Sequence, residues 1–353
     1  MKEEIVEQKI DHLKPLMKTL KSVDDIKIVP NQTLVSAKAD GEMNLLVYDS
    51  DSESYTLNKW GRRRTDFPAL NEFVIAMSHT NVEKAELMVE LYAMEKDHPL
   101  KLPQFIHYVK SHNPALISKV HIGIWDLLSV NNQPVKTLPS ERYKLAESWL
   151  ENLRTVKRNP LVHVLPYITP NSTAEIKQFW HEKVVRQGYE GLVIRIADNE
   201  IYKIKPVLEL DAVIVAVNKV SSYGKPNLYR EKQVTSVKLA LMRPDRKFVV
   251  IGDCASGIDH QLRKTLWTLT ENFKVAETDK EVWVKPVAIA NIQYTDTFQS
   301  TNKVYTYTQN GYTFTEEMKL AKLRHPRLLG FKPNKNVTPT DLRLDQLPTP
   351  KKI

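Results

Sequence analysis

The feature that most constrains this chain is a change of texture at Pro206. Before it, from about residue 33, strand-like and helix-like patterns mix, with alternating runs such as Val120-Ile122-Ile124 marking strands. After it, short β-rich runs dominate (AVIVAV, QVTSVKLALM, KFVVIGD, VWVKPVAIANIQY), interrupted by one helical segment near 258–273. Five or so strands and one helix in about 120 residues suit a small β-barrel such as an OB-fold. The 353 residues fit two domains, each able to bury its own core. The expected division is residues 1–32 as a helical extension, 33–206 as an α+β domain and 207–353 as the β-barrel. Residues 3–20 mix acids and bases at helical spacing. Residues 324–353, rich in Pro, Lys and Arg, are expected to wrap the surface. Ser172 and Glu175 form a capping box for one helix, and Gly188 supplies its stop.

Composition excludes several classes. No run of eighteen apolar residues exists, so no membrane-spanning helix is expected, and residues 1–20 lack the apolar core of a signal peptide. A cytoplasmic location, nucleoid-associated in a prokaryote, follows as the default. Cys254 is the only cysteine, which removes internal disulfides and cysteine-rich zinc modules. The net charge of +9 suits a polyanionic partner.

Two segments carry candidate chemistry. AKADGEMN places Lys38, Asp40 and Gly41 between an apolar strand and the next strand, LLVYD. EGLVIRIADNEIYKIKP reads as a hairpin turning at Asp198-Asn199, with Ile196 opposite Ile201 and Ile194 opposite Lys203. That register puts Glu190, Leu192 and Ile194 on one face with Lys203 and Lys205, and Val193, Ile204 and Arg195 on the other. Charges on an otherwise apolar ribbon point to a site.

In this order the segments resemble the covalent nucleotidyltransferases: ATP-dependent DNA ligases, RNA ligases and mRNA capping enzymes. Lys38-Asp40-Gly41 resembles the nucleophile motif, and NKWGRRRTDFP (58–68) the segment that follows it, with Lys59 where arginine is usual. LMVELYA places Glu90 at the acidic strand position. HIGIWDLL places Trp125, followed by Asp126, at the position of the adenine-stacking aromatic. EGLVIR supplies Glu190, YKIKP supplies Lys203 and Lys205, and LRHPRLLGFKPNK resembles the ligase C-terminal motif with Arg324, Arg327, Lys332 and Lys335. WDLL and RHPR favour a ligase over a capping enzyme.

The resemblance implies an α+β nucleotidyltransferase (ATP-grasp-like adenylation) domain with mainly antiparallel sheets, followed by an OB-fold domain. It implies nick sealing by ATP through a lysyl-AMP on Lys38, with Mg²⁺ (or Mn²⁺) as cofactor. Lys203, Lys205 and the metal are expected to lower the Lys38 pKa. Asp40 would orient its amine or touch the metal. Gly41 and Lys59 join the nucleotide site, and Glu90 and Glu190 bind the metal or ribose. Lys332 and Lys335 would close over the β- and γ-phosphates, with a hinge at 206–210. Nicked duplex DNA is the implied partner of a monomer, gripped through phosphates by Arg62, Arg63, Arg64, Lys219, Lys225, Arg230, Lys232, Arg324 and Arg327. Met43 and Asn334 depart from the family, standing where arginine and aspartate are usual, and Gly330 and Lys332 also replace arginines. An RNA ligase, or a non-catalytic nucleic-acid-binding homologue, are the alternatives.

Overall fold

The computed structural model describes residues 1–347 apart from 8, 9, 11, 12, 14, 198, 199 and 220–227. The chain forms two compact units, Met1–Pro206 and Val207–Ile353.

The strands of the first unit begin with β1 (Lys2–Ile5), β2 (Lys18–Thr19), β3 (Thr33–Lys38), β4 (Glu42–Asp49), β5 (Tyr55–Asn58) and β6 (Arg62–Thr65). Then come α1 (Pro68–Met77), β7 (Lys84–Glu95), β8 (His98–Pro99), α2 (Leu102–Lys110), α3 (Pro114–Ile117), β9 (Val120–Val130) and β10 (Gln133–Pro134). The unit ends with α4 (Pro139–Val156), β11 (Val162–Val164), β12 (Tyr167–Ile168), α5 (Thr173–Trp180), β13 (Gly191–Ile196) and β14 (Glu200–Ile204).

Two sheets result. One runs β1-β6-β5-β4-β7-β9-β10, with β8 on β7 and β11 alongside β9; the other runs β12-β3-β13-β14-β2. Pairing is antiparallel except for β11 with β9 and β2 with β14. The central strands β3, β7 and β13 are near-continuous apolar runs, because both their faces are covered. Helix α1 starts with Pro68, whose missing N–H costs nothing there. It buries Ala69, Leu70, Phe73, Ala76 and Met77 along one stripe. The Ser172 hydroxyl caps α5 by accepting from the Glu175 N–H, while the Glu175 carboxylate accepts from the Asn171 N–H and from the Ser172 hydroxyl rather than from the Ser172 N–H. A π turn then carries the chain to Gly188, which has φ +81°.

Three expectations change here. The helix expected over residues 3–20 is replaced by strand at both ends, β1 pairing with β6 and β2 with β14. Glu3 and Glu4 find arginines across the sheet, a partner that helical spacing alone does not reveal. The β13–β14 hairpin is shifted by one residue, pairing Ile196 with Glu200, Ile194 with Tyr202, Val193 with Lys203 and Leu192 with Ile204. A one-residue slip exchanges faces, so Lys203 shares a face with Val193 and Arg195, not with Leu192 and Ile194. The core decides the register: Leu192 and Ile194 are fully buried, and the expected pairing would have driven Lys203 in beside them. The expected turn residues Asp198 and Asn199 lie outside the described residues. Residues 324–353, finally, do not simply wrap the surface, because Leu342 and Leu347 are buried in the second unit's core.

The second unit contains β15 (Leu208–Asn218), β16 (Val237–Met242), β17 (Phe248–Cys254), α6 (His260–Phe273), β18 (Lys274–Glu277), β19 (Glu281–Val284) and β20 (Ile289–Tyr294). They are followed by β21 (Asp296–Thr308), β22 (Gly311–Arg324) and β23 (Arg327–Phe331). The sheet runs β18-β19-β15-β16-β17-β21-β22, with β20 joining β15 to β23. It is a curled half-barrel with more strands than the sequence pattern separates. Leu210, Ile214, Leu239, Ile251 and Leu266 fill one side, and Val213, Val215, Met242, Phe248 and Leu342 the other. Asp259 caps α6 by accepting from the Leu262 N–H at 2.8 Å. No helix among the described residues is long and apolar enough to cross a membrane.

Candidate active site

Lys38 is the last residue of β3, and after three intervening residues the chain enters β4 in the other sheet. The turn is fixed from several sides. The Glu190 N–H donates to the Lys38 carbonyl at 2.7 Å, and the Gly41 N–H donates to Glu90 Oε1 at 3.1 Å. Asp40 is buried, and its carboxylate accepts from the Leu102 N–H at 3.2 Å, capping the start of α2. Gly41 is required by space, since a Cβ there would lie 2.2 Å from the Leu91 carbonyl oxygen.

Around the Lys38 amine the charges form a chain. Nζ donates to Glu190 Oε2 at 2.5 Å, and the other Glu190 oxygen accepts from Lys205. Burial works against the charge of Lys38, but the carboxylates of Glu190, Glu90 and Asp40 outweigh it and hold the ammonium above its ordinary pKa. The expected lowering by Lys203 and Lys205 is therefore not present in this state. Burial likewise pushes Glu190 upward, and Lys38 with Lys205 brings it below the usual carboxylate value. Glu90 goes the other way: burial, helped by the Glu190 charge, pushes it up to about 7 against the pull of Lys38. Two carboxylates beside one amine thus have separated proton affinities.

These groups open onto a cavity of about 400 Å³ whose lining includes Ser36, Lys38, Lys59, Glu90, Trp125, Arg195, Lys203 and Lys205. Ser36, Lys38, Val193, Arg195 and Lys203 share its face of the second sheet, as the β3–β13–β14 register dictates. Gly191 lets β13 approach β14, because a Cβ there would stand 2.1 Å from the Ile204 carbonyl oxygen. Trp125 is 8% exposed, with the Arg195 guanidinium 5.0 Å from its ring centroid. Arg195 is itself buried and lies 3.2 Å from Asp126, which also accepts from Arg142 at 2.8 Å. Arg195 is the residue that sequence reasoning missed. The signal was an arginine inside the apolar run GLVIRI, which the expected register set on the face away from Lys203 and Lys205. Met43 and Trp60 also line the cavity, and the Lys59 ammonium stacks over Trp60 at 4.4 Å.

The remaining candidates lie elsewhere. Arg62, Arg63 and Arg64 sit on β6, ion-paired to Glu3, Glu4, Glu53 and Glu42. Lys332, Lys335, Arg324 and Arg327 belong to the second unit. There Lys335 pairs with Asp211 at 2.6 Å, and Lys332 is exposed. Lys219 donates to Glu277 at 2.7 Å, and Lys232 is exposed. Lys225 lies outside the described residues. Arg230 is in a 3-10 turn, Leu228–Glu231, but its side chain is outside the described set.

The family pattern described as "ATP dependent DNA ligase domain" matches residues 14–206, and that described as "ATP dependent DNA ligase C terminal region" matches residues 230–335. Among relatives, the DNA ligase of Methanocorpusculum labreanum is 25% identical over 226 residues, covering 61% of this chain and 36% of that protein. The DNA ligase of Methanococcus maripaludis is 21% identical over 352 residues, covering 92% and 57%. The chain thus spans about a third to just over half of the length of these ligases. Among solved structures, one described as Pmar-Lig_Pre superposes with a TM-score of 0.58 at 14% identity, covering 90% of this chain and 67% of that one. Another, from a study of Lig E DNA ligases, superposes with a TM-score of 0.51 at 16% identity, covering 90% and 100%. These structures share the fold, an adenylation-type α+β unit followed by an OB-like half-barrel. With the first pattern running over more than half of its length, and the second following it in order, the chain belongs to the ATP-dependent DNA ligase family.

Proposed function

We propose that this chain seals nicks in duplex DNA, joining a 3′-hydroxyl to a 5′-phosphate at the expense of ATP through a covalent lysyl-AMP on Lys38. The observation that carries the reading is the hydrogen-bonded chain Lys38–Glu190–Lys205 at the wall of a nucleotide-sized cavity.

In the first step the Lys38 amine attacks the α-phosphorus of ATP. A P–N bond forms, the bond to the β-phosphate oxygen breaks, and pyrophosphate leaves. The ammonium must first lose a proton. Glu190 holds the amine in place. Lys203 and Lys205 neutralise charge on the phosphate oxygens, and Trp125, braced by Arg195, supplies an apolar wall for adenine. AMP then passes to the 5′-phosphate of the nick, and the 3′-hydroxyl displaces it.

Mg²⁺ suits the same residues, because this ion is commonly held by one or two carboxylates together with substrate phosphates, and the raised Glu90 carboxyl gains from a nearby cation. When bound, it would screen the phosphates and favour the neutral amine. Glu90 and Glu190 would hold it. In the second unit, Lys332 and Lys335 are assigned to the β- and γ-phosphates, and Arg324, Arg327, Lys219 and Lys232 to the DNA backbone.

The test is covalent labelling. The protein is incubated with ATP labelled on its α-phosphate, then chased with nicked DNA or with nicked RNA duplex. Label on wild type, none on Lys38→Ala, and release by nicked DNA is the expected pattern. Label retained by Lys38→Ala refutes the nucleophile, and release by RNA alone moves the substrate to RNA.

A further inference from the structure

Strand β6, which lies beside the edge strand β1 of the first sheet, carries three consecutive arginines, and all three are occupied by the chain's own carboxylates. Glu3 accepts from Arg62 at 2.6 Å with one oxygen and from Arg64 at 2.7 Å with the other. Glu4 accepts from Arg63 at 2.6 Å. Lys2 lies 3.5 Å from Asp66. The strands are in register, with Glu3 opposite Arg64 and Glu4 opposite Arg63, so every charge of β1 meets its opposite.

Apolar burial within β1 contributes little to its attachment. The strand is an edge strand with a single neighbour, all four of its residues are exposed, and Ile5 is 75% exposed. Beyond its four-residue ladder with β6, its attachment rests on ion pairs, and those made by exposed side chains are weak and screened by salt. A tightly packed structural strand would show the opposite balance.

Arg62 and Arg64 stand two residues apart on one strand and project to the same side. A carboxylate with one oxygen on each fills the place that a phosphate's oxygens would take. The seat opens onto a second cavity, of about 390 Å³, lined among others by Trp60, Arg62, Arg64, Phe105, Lys110 and His112. Trp60, Glu42 and Ile106 belong to both this cavity and the one beside Lys38. The seat is thus next to the candidate active site and faces a wall with further basic groups.

We propose that β1 is an acidic strap in which Glu3, seated between Arg62 and Arg64, stands in for a backbone phosphate, and that a nucleic-acid duplex displaces the strap from β6 on binding. The inference deepens the reading of this chain as a nick-sealing enzyme and rests on it. A free nucleotide offers too few phosphates to exchange against the strap along its length, whereas a continuous duplex backbone offers one after another. The strap would reserve the arginine edge for polymer.

Hydrogen exchange of the full chain, alone and with saturating nicked duplex, tests this directly. The peptide covering Met1–Val6 is expected to lose protection when the duplex binds. Unchanged protection with duplex bound overturns the proposal. In parallel, Glu3→Gln/Glu4→Gln should bind nicked duplex about tenfold more tightly than Asp24→Asn/Glu182→Gln, which changes charge equally elsewhere on the unit. Equal gains in both pairs would reduce the effect to net charge and overturn the strap. Arg62→Ala/Arg63→Ala should weaken binding. If it binds as wild type does, β6 is not a nucleic-acid surface; if it weakens while β1 stays protected, only the strap falls. Failure of the nick-sealing reading itself would appear separately, as absence of covalent label from ATP.

Discussion

At the scale of single residues, the protonation state of Lys38 governs the proposed chemistry. Its folded pKa lies above the ordinary value, so near neutral pH the amine is almost wholly ammonium and the reactive fraction grows as pH rises. Formation of the labelled intermediate should therefore increase about tenfold per pH unit between roughly 7 and 9. Glu190→Gln removes the largest attraction on the ammonium, so its profile should shift toward acid even as its maximal rate falls. A flat wild-type profile, measured by single-turnover labelling, would show that the amine is already neutral. Much at this scale was legible in the sequence: the structure brings Lys38, Glu90, Trp125, Glu190, Lys203 and Lys205 to one site. What was not legible was pairing. Nothing in the order of residues says that Glu3 reaches Arg62 and Arg64, or that Arg195 lies over Trp125, because those contacts are set by packing between strands far apart in the chain.

At the scale of elements, register carries the site. Lys203 and Arg195 reach the cavity only because Val193 stands opposite Lys203. That register is held by Leu192 and Ile194 in the core and by close approach at Gly191. Gly191→Ala places a methyl group against the Ile204 carbonyl and should destabilise the first unit by about 2–4 kcal/mol, read as a lowered urea midpoint. An unchanged midpoint would mean that β14 gives way without cost. The sequence predicted strands β13 and β14 and their antiparallel pairing, yet missed the register, since an apolar run offers little contrast between its faces. It also misread residues 3–20. Alternating charges satisfy a helix and a strand equally well until the partner is known, and here the partner is a basic strand nearly sixty residues away.

For the whole molecule, the two units divide the proposed labour. Lys38 and its neighbours belong to the first, Lys332 and Lys335 to the second. Lys335 is paired with Asp211, a carboxylate within its own unit, so engaging ATP phosphates requires it to exchange one anion for another. Lys335→Ala should slow self-adenylylation by roughly 10–100-fold while sparing the sealing of DNA that already carries AMP. Equal loss of both activities would remove Lys335 from the pyrophosphate step. The fold of each unit was readable from texture, a mixed α/β stretch followed by short β runs. The strand count of the second unit was not, because Asp296–Thr308 and Gly311–Arg324 form a long polar hairpin without the alternation that marks a half-buried strand.

The Lys38–Glu190 contact has one more consequence, and it concerns isoelectric behaviour. On the proposed chemistry, attachment of AMP turns a cationic ammonium into a neutral phosphoramidate nitrogen and adds one ionised phosphate oxygen. The pocket then loses two units of charge, while Glu190 keeps its ion pair with Lys205. Loaded and empty forms of an otherwise identical polypeptide should therefore separate on cation exchange, the loaded form eluting first.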